Sequence, residues 1–235
     1  MTARTIARRL RALRDPGIAE GHLRFFKCGP GQYGEGDTFL GIMVPGLRAL
    51  SREFASLAVA DAVELLQSKW HEARLLALMI LVRKYKHGDE SSRAEIFRRY
   101  LANTKRINNW DLVDVSASAI AGAHLRERDR APIIALTQSE SLWERRIAII
   151  STFDFIRHDD FDDTLLIAEM LLGDRHDLIH KASGWMLREV GKRDQPVLER
   201  FLRRHALRMP RTMLRYAIEK FPPELRARYM ARDKG

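Results

Sequence analysis

Cysteine is almost absent from this sequence, because Cys28 is the only one in a chain of 235 residues. A single cysteine can form neither an internal disulfide nor a cysteine-rich zinc site, which is typical of a protein from a reducing compartment. Long apolar segments are absent too. The N-terminus has no apolar stretch of signal-peptide length, and the longest apolar run, Leu75–Val82, is far too short to span a bilayer. We therefore expect a soluble, cytoplasmic protein.

Several motifs of well-defined chemistry are also missing. The eight histidines do not form a His-Glu-x-x-His metal motif, and no Gly-x-Ser-x-Gly elbow marks a serine hydrolase. Cys28 has Lys27 beside it, but no histidine is identifiable as its catalytic partner. The residues thus give little support for a metalloenzyme, a serine hydrolase or a cysteine nucleophile.

What the chain has in excess is positive charge. It carries 41 basic and 31 acidic residues, a formal net charge of +10 and a sequence pI of about 10.1. Such an excess favours a polyanionic partner, and nucleic acid before a membrane surface. The alternative is a solvated basic surface that only aids solubility.

Convincing strands are lacking after Pro45, where almost every segment has apolar residues at helical spacing. Five segments resemble one another, because each opens an apolar helix with a charged residue, and they follow at intervals of 34 to 37 residues. Their opening residues are Arg74, Asp111, Arg146, Lys181 and Arg215. Less apolar helical stretches lie between them. A helix pair that repeats at this interval is typical of HEAT-like α-solenoids.

We therefore predict an all-α fold, an α-solenoid of HEAT-like repeats with a concave basic groove. Residues 1–235 would form a single repeat domain, with N-terminal helices and a glycine-rich loop in 1–45 and the repeats in 46–235. The equivalent inner helices would line the groove and place their charged residues in rows. An ordinary helical bundle with accidental spacing is the alternative.

A glycine- and aromatic-rich segment, residues 25–37, precedes the repeats. It is not a phosphate-binding loop, because no Gly-Lys-Ser/Thr follows, and no strand precedes it as in a dinucleotide-binding fingerprint. One interpretation is an ordered loop that brings Phe25, Phe26 or Tyr33 to the mouth of the groove. A plain connector between helices is the other.

Trp110 and Asp114 stand four residues apart at the start of a helical run, so both side chains would project from one face. A flat ring beside a carboxylate could hold a sugar and stabilise a developing positive charge. Trp110 could instead be core, and Asp111 or Asp114 a helix cap.

N-glycosidic cleavage is the chemistry that this pair would suit. The sugar becomes oxocarbenium-like, and a carboxylate can stabilise that cation and position water. A base that is already cationic, such as an N3- or N7-alkylpurine, leaves without a general acid. If the repeats superpose, Trp185 would face the same groove as Trp110 and Asp114. Arg146 and Lys181 would bind the flanking phosphates.

Several motifs together carry a specific family resemblance. They are Phe39-Leu40-Gly41-Ile42 with Pro45 and Arg48, Lys84-Tyr85-Lys86, Trp110-Asp111-x-Val113-Asp114, Trp143-x-x-Arg146-x-Ala148-Ile149 and Lys181-Ala182-x-Gly184-Trp185-x-Leu187-Arg188-Glu189. With them the chain resembles the AlkD family of HEAT-like DNA alkylation repair glycosylases, from about Gly21 to Arg193 and more weakly to the C-terminus.

The resemblance implies excision of cationic alkylpurines from duplex DNA without a metal or other cofactor, and we expect the protein to be a monomer. It places Asp114 on the catalytic aspartate, Trp110 and Trp185 on the indoles beside the lesion's sugar, and Arg146 on an arginine that contacts the DNA backbone. Phe25 stands near a tyrosine of the best-known members, and we take Phe25 and Arg74 as further candidate DNA contacts.

Two segments depart from the best-known members: the loop from Gly29 to Asp37 is longer, and Asp177-Leu178-Ile179 stands where they show aromatics. The preferred lesion is left open.

A non-catalytic HEAT-like module that binds nucleic acid or an acidic protein is the rival prediction, because helical-repeat folds serve both binding and catalysis. A carboxylate on the groove wall favours the enzyme, since a module that binds a polyanion gains nothing from it.

Overall fold

A computed structural model describes residues 2–231 of the chain. Within this range the regular structure is helical, and β pairing is limited to an isolated bridge between Thr38 and Trp70. The all-α prediction is therefore confirmed. The chain divides into two compact units, the first ending at Ile120 and the second beginning at Ala121. That residues 1–235 form a single repeat domain stays a prediction.

The first unit contains seven α-helices among its described residues and a 3₁₀ turn, Thr104–Arg106. The helices are α1 (Ala3–Ala12), α2 (Pro16–Phe25), α3 (Val44–Glu53), α4 (Val59–Leu66), α5 (His71–His87), α6 (Glu90–Leu101) and α7 (Trp110–Ala117). Local sequence explains several starts, because the side chains of Thr2, Asp15 and Asp89 accept hydrogen bonds from the first free backbone N–H groups of α1, α2 and α6.

Helix α5 is the centre of the first unit, where it packs against α3, α4, α6 and α7. Its middle is buried on every side, with Leu76, Leu78 and Ile80 completely inaccessible. The apolar run Leu75–Val82, which is long enough for a strand or a buried helix, is therefore a buried helix. This position makes α5 the element against which α7 and the N-terminal segment are placed.

A π-helical turn, Ser118–Gly122, follows α7 and leads to the helices of the second unit. They are α8 (Ala123–Leu125), α9 (Ala131–Leu136), α10 (Leu142–Ser151), α11 (Phe153–Arg157), α12 (Asp162–Met170), α13 (Asp177–Arg193), α14 (Gln195–His205), α15 (Arg211–Ala217) and α16 (Pro223–Ala231). Ser141 and Asp194 cap α10 and α14.

Helix α13 is the centre of the second unit, as α5 is of the first, and both are 17 residues long. It packs against α10, α11, α12, α14 and α15. The approach to α15 depends on Gly184, because a Cβ there would lie 2.5 Å from the carbonyl oxygen of Met213.

The five similar segments of the sequence are all helical, since their opening residues lie in α5, α7, α10, α13 and α15. The less apolar stretches between them form α6, α9, α12 and α14. The predicted repeat boundary at residue 46 falls two residues after α3 begins at Val44. The helical-repeat organisation is thus present along both units, and the predicted concave basic groove stays a prediction.

Candidate active site

Trp110 and Asp114 lie in the first two turns of α7, and both are half-buried. Both side chains line one cavity of the first unit, which has a volume of about 780 Å³. The predicted shared face is therefore confirmed. Trp110 is not simply core, and Asp114 lies on a cavity wall in the middle of the helix, where it does not act as an N-cap.

Aromatic rings form much of this cavity's wall. The ring of Phe26 stacks on that of Trp110, with centroids 5.4 Å apart, and on that of Phe39 at 5.1 Å. Phe25 meets Trp110 edge-on at 5.8 Å, and it is 62% exposed. Phe25 thus stands at the cavity mouth, while its expected place at the mouth of the groove stays a prediction. It belongs to the last turn of α2 and not to the glycine-rich loop, and Tyr33 does not line the cavity.

A buried carboxylate fixes the chain segment opposite α7. The Glu72 side chain of α5 accepts three hydrogen bonds from backbone N–H groups: Leu40 at 2.8 Å, Gly41 at 2.7 Å and Ile42 at 3.2 Å. Glu72 is 2% exposed. Three donors on one carboxylate satisfy backbone groups that would otherwise be buried without partners. The segment that carries Phe39 and Ile42 to the cavity is therefore anchored on the core helix.

The same segment needs a glycine at position 41. Gly41 has φ +84°, in the left-handed region, and a Cβ there would lie 2.0 Å from the carbonyl oxygen of Asp15. This close approach ties the segment to the start of α2, together with a hydrogen bond from Asp15 N–H to the Leu40 carbonyl.

Four charged side chains form a row at the cavity, which His71 and Asp111 help to line; Arg74, Asp37 and His71 are buried and Asp111 is partly exposed. The Arg74 Nη2 atom lies 2.6 Å from Asp37 Oδ1, and His71 Nδ1 lies 2.8 Å from Asp37 Oδ2. His71 Nε2 lies 2.8 Å from Asp111 Oδ2 on α7. We call this set the buried charge row (Arg74, Asp37, His71 and Asp111). Its two cations and two anions balance when His71 is protonated.

The pKa values in the row follow from these contacts. Burial alone would lower the pKa of His71, but its hydrogen bonds to Asp111 and Asp37 and their charges outweigh burial and raise it to about 9. Burial would raise the pKa of Asp37, but the His71 hydrogen bond and the Arg74 charge hold it below its usual value. These contacts therefore favour the imidazolium form of His71 at neutral pH.

Arg74 was predicted to contact DNA, and the structure corrects this. Its side chain is 4% exposed, and its guanidinium binds Asp37 and the carbonyl oxygens of Ser68 and Lys69. A guanidinium enclosed in this way cannot reach a phosphate. Arg74, the charged first residue of the first similar segment, therefore makes its contacts inside the core.

Arg146 needs the same correction in the second unit. It is 5% exposed, and its Nη1 donates to the Leu178 carbonyl at 2.7 Å. This hydrogen bond joins α10 to the first turn of α13, so the guanidinium stabilises helix packing and is not presented to a phosphate.

Lys181 and Trp185 lie one turn apart on α13, and both are partly exposed. The Lys181 ammonium lies 2.7 Å from Asp177 Oδ2, and this lysine's hydrogen bond helps to lower the pKa of Asp177. The Trp185 indole N–H donates to Glu189 Oε1 at 3.1 Å. Both residues can meet a ligand from solvent. Because they belong to the second unit, a groove shared with Trp110 and Asp114 stays a prediction.

Cys28 is a poor nucleophile in this setting. Burial and the nearby charge of Asp37 raise the pKa of its thiol to about 11, so the thiolate is scarce at neutral pH. This agrees with the sequence, which offers it no catalytic histidine.

No sequence motif pointed to His71, Glu72 and Asp37, whose side chains make the buried polar contacts beside the cavity. Glu72 stands in an apolar helix, and Asp37 stands at the end of a glycine-rich loop. Neither position indicates which residue the carboxylate will contact. The available signal was the His71-Glu72 pair, which is separated from the apolar run Leu75–Val82 by two residues. Charged residues are rarely fully buried unless they are paired, so a charge within a buried helix indicates a partner elsewhere in the fold.

The helices of residues 2–231 include none that is long and apolar enough to cross a membrane. The fold and the cavity define a helical-repeat protein with a carboxylate on an aromatic-lined wall. The chain belongs to a family described as DNA alkylation repair enzymes, whose model matches residues 6–221.

A solved structure described as a predicted DNA alkylation repair enzyme from Enterococcus faecalis is similar to it. The TM-score is 0.70 with 18% identity, over 89% of this chain and 97% of that one. This likeness confirms the helical-repeat fold. No curated protein matches the chain.

Proposed function

We propose that the protein is a DNA glycosylase that hydrolyses the N-glycosidic bond of cationic N3- and N7-alkylpurines in duplex DNA. The observation that carries this proposal is the placement of Asp114 and Trp110 on one cavity wall. The family membership supports it, because alkylation repair requires a site that acts on damaged DNA.

Asp114 is the proposed catalytic residue. The bond between the sugar C1′ and the base nitrogen breaks, and its electron pair leaves with the cationic base, which becomes neutral. The sugar is left as an oxocarbenium ion, which the Asp114 carboxylate stabilises. A water then adds to C1′, and its proton passes to the carboxylate or to solvent. No general acid is needed, because the leaving base already carries the positive charge.

Trp110 is the proposed positioning surface for the sugar. Its ring is held between Phe26 on one face and Phe25 at its edge, so its orientation is fixed before DNA binds. A rigid flat surface beside the carboxylate restricts the approach of C1′, and correct placement is a large part of the rate.

Other DNA contacts are proposed from exposure and charge. Phe25 is exposed at the cavity mouth, and Arg48 lines the same cavity as an exposed cation. In the second unit, Lys181 and Trp185 are proposed contacts. A DNA phosphate would compete with the Asp177 carboxylate for the Lys181 ammonium. Arg74 and Arg146 are not proposed, since both are buried.

The test is release of one N7-methylguanine from a duplex oligonucleotide under single-turnover conditions, with the spontaneous rate subtracted. We expect Asp114→Asn to lower the rate constant on the order of 100-fold, the effect of removing a charge-stabilising group. Glu64→Gln is the matched control, because Glu64 is an exposed carboxylate on α4 of the same unit.

Equal release by the wild type and Asp114→Asn would remove the carboxylate from the mechanism. No release by either protein, with salt-sensitive binding of duplex DNA intact, would identify a non-catalytic nucleic-acid-binding module instead.

A further inference from the structure

The buried charge row connects three separate parts of the first unit. Asp37 ends the glycine-rich loop, His71 and Arg74 belong to the first turns of α5, and Asp111 lies in the first turn of α7. The side chains of Asp37 and His71 are 1% and 2% exposed. Polar groups this deeply buried are expected to have specific partners, and each carboxylate here has one on His71.

The geometry favours a proton on both ring nitrogens of His71. Each nitrogen lies 2.8 Å from a carboxylate oxygen, and an ionised carboxylate can only accept a hydrogen bond. A neutral imidazole has one N–H, so one of the two contacts would join two acceptors. The rings of Phe26 and Phe39 pack against the imidazole with centroids at 4.9 and 4.6 Å, and His71 is 1% exposed, so the two carboxylates are its main polar partners.

Asp111 links this imidazolium to the proposed catalytic residues. It follows Trp110 directly and stands three residues before Asp114 on α7. Its second carboxylate oxygen accepts the Leu112 N–H at 2.9 Å, so the side chain is held at both oxygens. Fixing Asp111 therefore fixes the first turn of α7, which contains Trp110. Asp114 lies in the next turn of the same helix.

We propose that His71 is a positioning residue, which holds α7 through Asp111 so that Trp110 and Asp114 face the cavity. The proposal rests on the proposed glycosylase function for its catalytic consequence, but not for its structural one. The proposal also assigns a role to the loop from Gly29 to Asp37, because Asp37 at its end supplies the carboxylate that stabilises the imidazolium.

Protonation of His71 depends on every charged group near it. These groups are Asp37 from the loop, Arg74 and Glu72 from α5, His22 from α2, and Asp111 and Asp114 from α7. Carboxylates outnumber cations among them, which favours the charged ring. The pKa of about 9 agrees with the geometry.

The structural consequence is tested in the wild-type protein by nitrogen-15 NMR of the histidine rings, with the His71 signals assigned by their loss in His71→Gln. We expect both ring nitrogens to be protonated at pH 7.5, with a titration midpoint near 9. A neutral ring at pH 7.5 would overturn the proposal, whatever the protein's activity.

The link to α7 is tested by fluorine NMR of protein labelled with 5-fluorotryptophan. The Trp110 signal, assigned with Trp110→Phe, should shift or broaden in His71→Gln. His87→Gln is the matched control, because His87 is an exposed histidine at the far end of the same helix. An unchanged Trp110 signal in folded His71→Gln protein would refute the link, even if the protein proved to have no glycosylase activity.

The catalytic consequence is tested by separating binding from chemistry. We expect His71→Gln to lower the single-turnover excision rate constant about 10- to 100-fold, since a small misplacement of reacting groups costs this much. Affinity for undamaged duplex should change less than twofold, and His87→Gln should match the wild type in both. A loss of affinity with an unchanged rate constant would contradict the positioning role.

Discussion

The hydrogen bonds to Glu72 allow a quantitative prediction for Glu72→Gln. The substitution keeps the size of the side chain but replaces one carboxylate oxygen by an NH2 group. Either the Leu40 N–H or the pair from Gly41 and Ile42 then faces a donor, and the remaining bonds lose their charge. This change is confined to a site that is 2% exposed, so water cannot replace the lost acceptor.

The magnitude follows from the separate contributions. The orientation that loses fewer bonds turns the NH2 group toward Leu40 and keeps an oxygen for Gly41 and Ile42. Hydrogen bonds to charged groups contribute about 1.5–3 kcal/mol and neutral ones about 0.5–1.5 kcal/mol, so these two converted bonds lose roughly 1 kcal/mol each. One unsatisfied buried N–H costs about 1–3 kcal/mol. Removal of the charge relieves part of the carboxylate's own desolvation. We expect the free energy of unfolding of the first unit to fall by about 2–4 kcal/mol.

Urea unfolding followed by tryptophan emission measures this loss. Replacing Trp143 and Trp185 by phenylalanine in all variants confines the signal to the first unit. Glu64→Gln, at an exposed position of α4, should change the midpoint little. A loss below about 1 kcal/mol for Glu72→Gln, with an unchanged dependence on urea, would refute the anchoring role of this carboxylate.

Three further predictions concern single positions. Gly41→Ala should destabilise the first unit by at least about 3 kcal/mol, because its Cβ would lie 2.0 Å from a backbone carbonyl oxygen. Gly36 has a similar φ of +82° but open space around it, so Gly36→Ala should lower the free energy of unfolding by only about 1–2 kcal/mol. Chemical denaturation of both variants measures the difference. Gly184→Ala should lower the melting temperature of the second unit, because its Cβ would lie 2.5 Å from a carbonyl oxygen of α15. Gly21→Ala on α2 is the comparison, because its Cβ would have no atom within 4 Å. Calorimetry should show this variant to be as stable as the wild type or more stable. Because the pKa of His71 is raised, the contribution of its protonated ring to stability is complete below about pH 6.5 and is lost as pH rises through about 9. The melting temperature of the wild type should therefore fall between pH 6 and 10. His71→Gln should show a smaller fall, because it has no imidazole to titrate.

Much of the fold could be predicted from the sequence because helical periodicity is a local property. The five similar segments each contain enough apolar residues to define a buried face, and each is a helix. The contacts of their charged first residues could not be predicted in the same way. Arg74 is buried because Asp37, 37 residues earlier, supplies a carboxylate, and Arg146 because the Leu178 carbonyl lies within reach. Such partners depend on tertiary packing.

The candidate site shows the same division. The shared face of Trp110 and Asp114 follows from helix geometry alone, and the cavity confirms it. The imidazolium of His71 depends on carboxylates 34 residues before it and 40 residues after it, which no spacing rule connects. Phe25 was expected at the mouth of the groove through the glycine-rich loop, whereas its place at the cavity mouth depends on the end of α2.

The anchoring of Leu40–Ile42 on Glu72 has a consequence for the order of folding events. The backbone donors of this cavity wall have their acceptor on α5, and the Thr38 carbonyl accepts the His71 N–H at the start of that helix. Because these partners belong to α5, we expect the wall to become ordered together with that helix or after it. Detachment of the wall would leave the buried Glu72 carboxylate without its three backbone donors, so we expect these amides to exchange more slowly than those of an ordinary loop. A ligand would then meet a wall that is already in place.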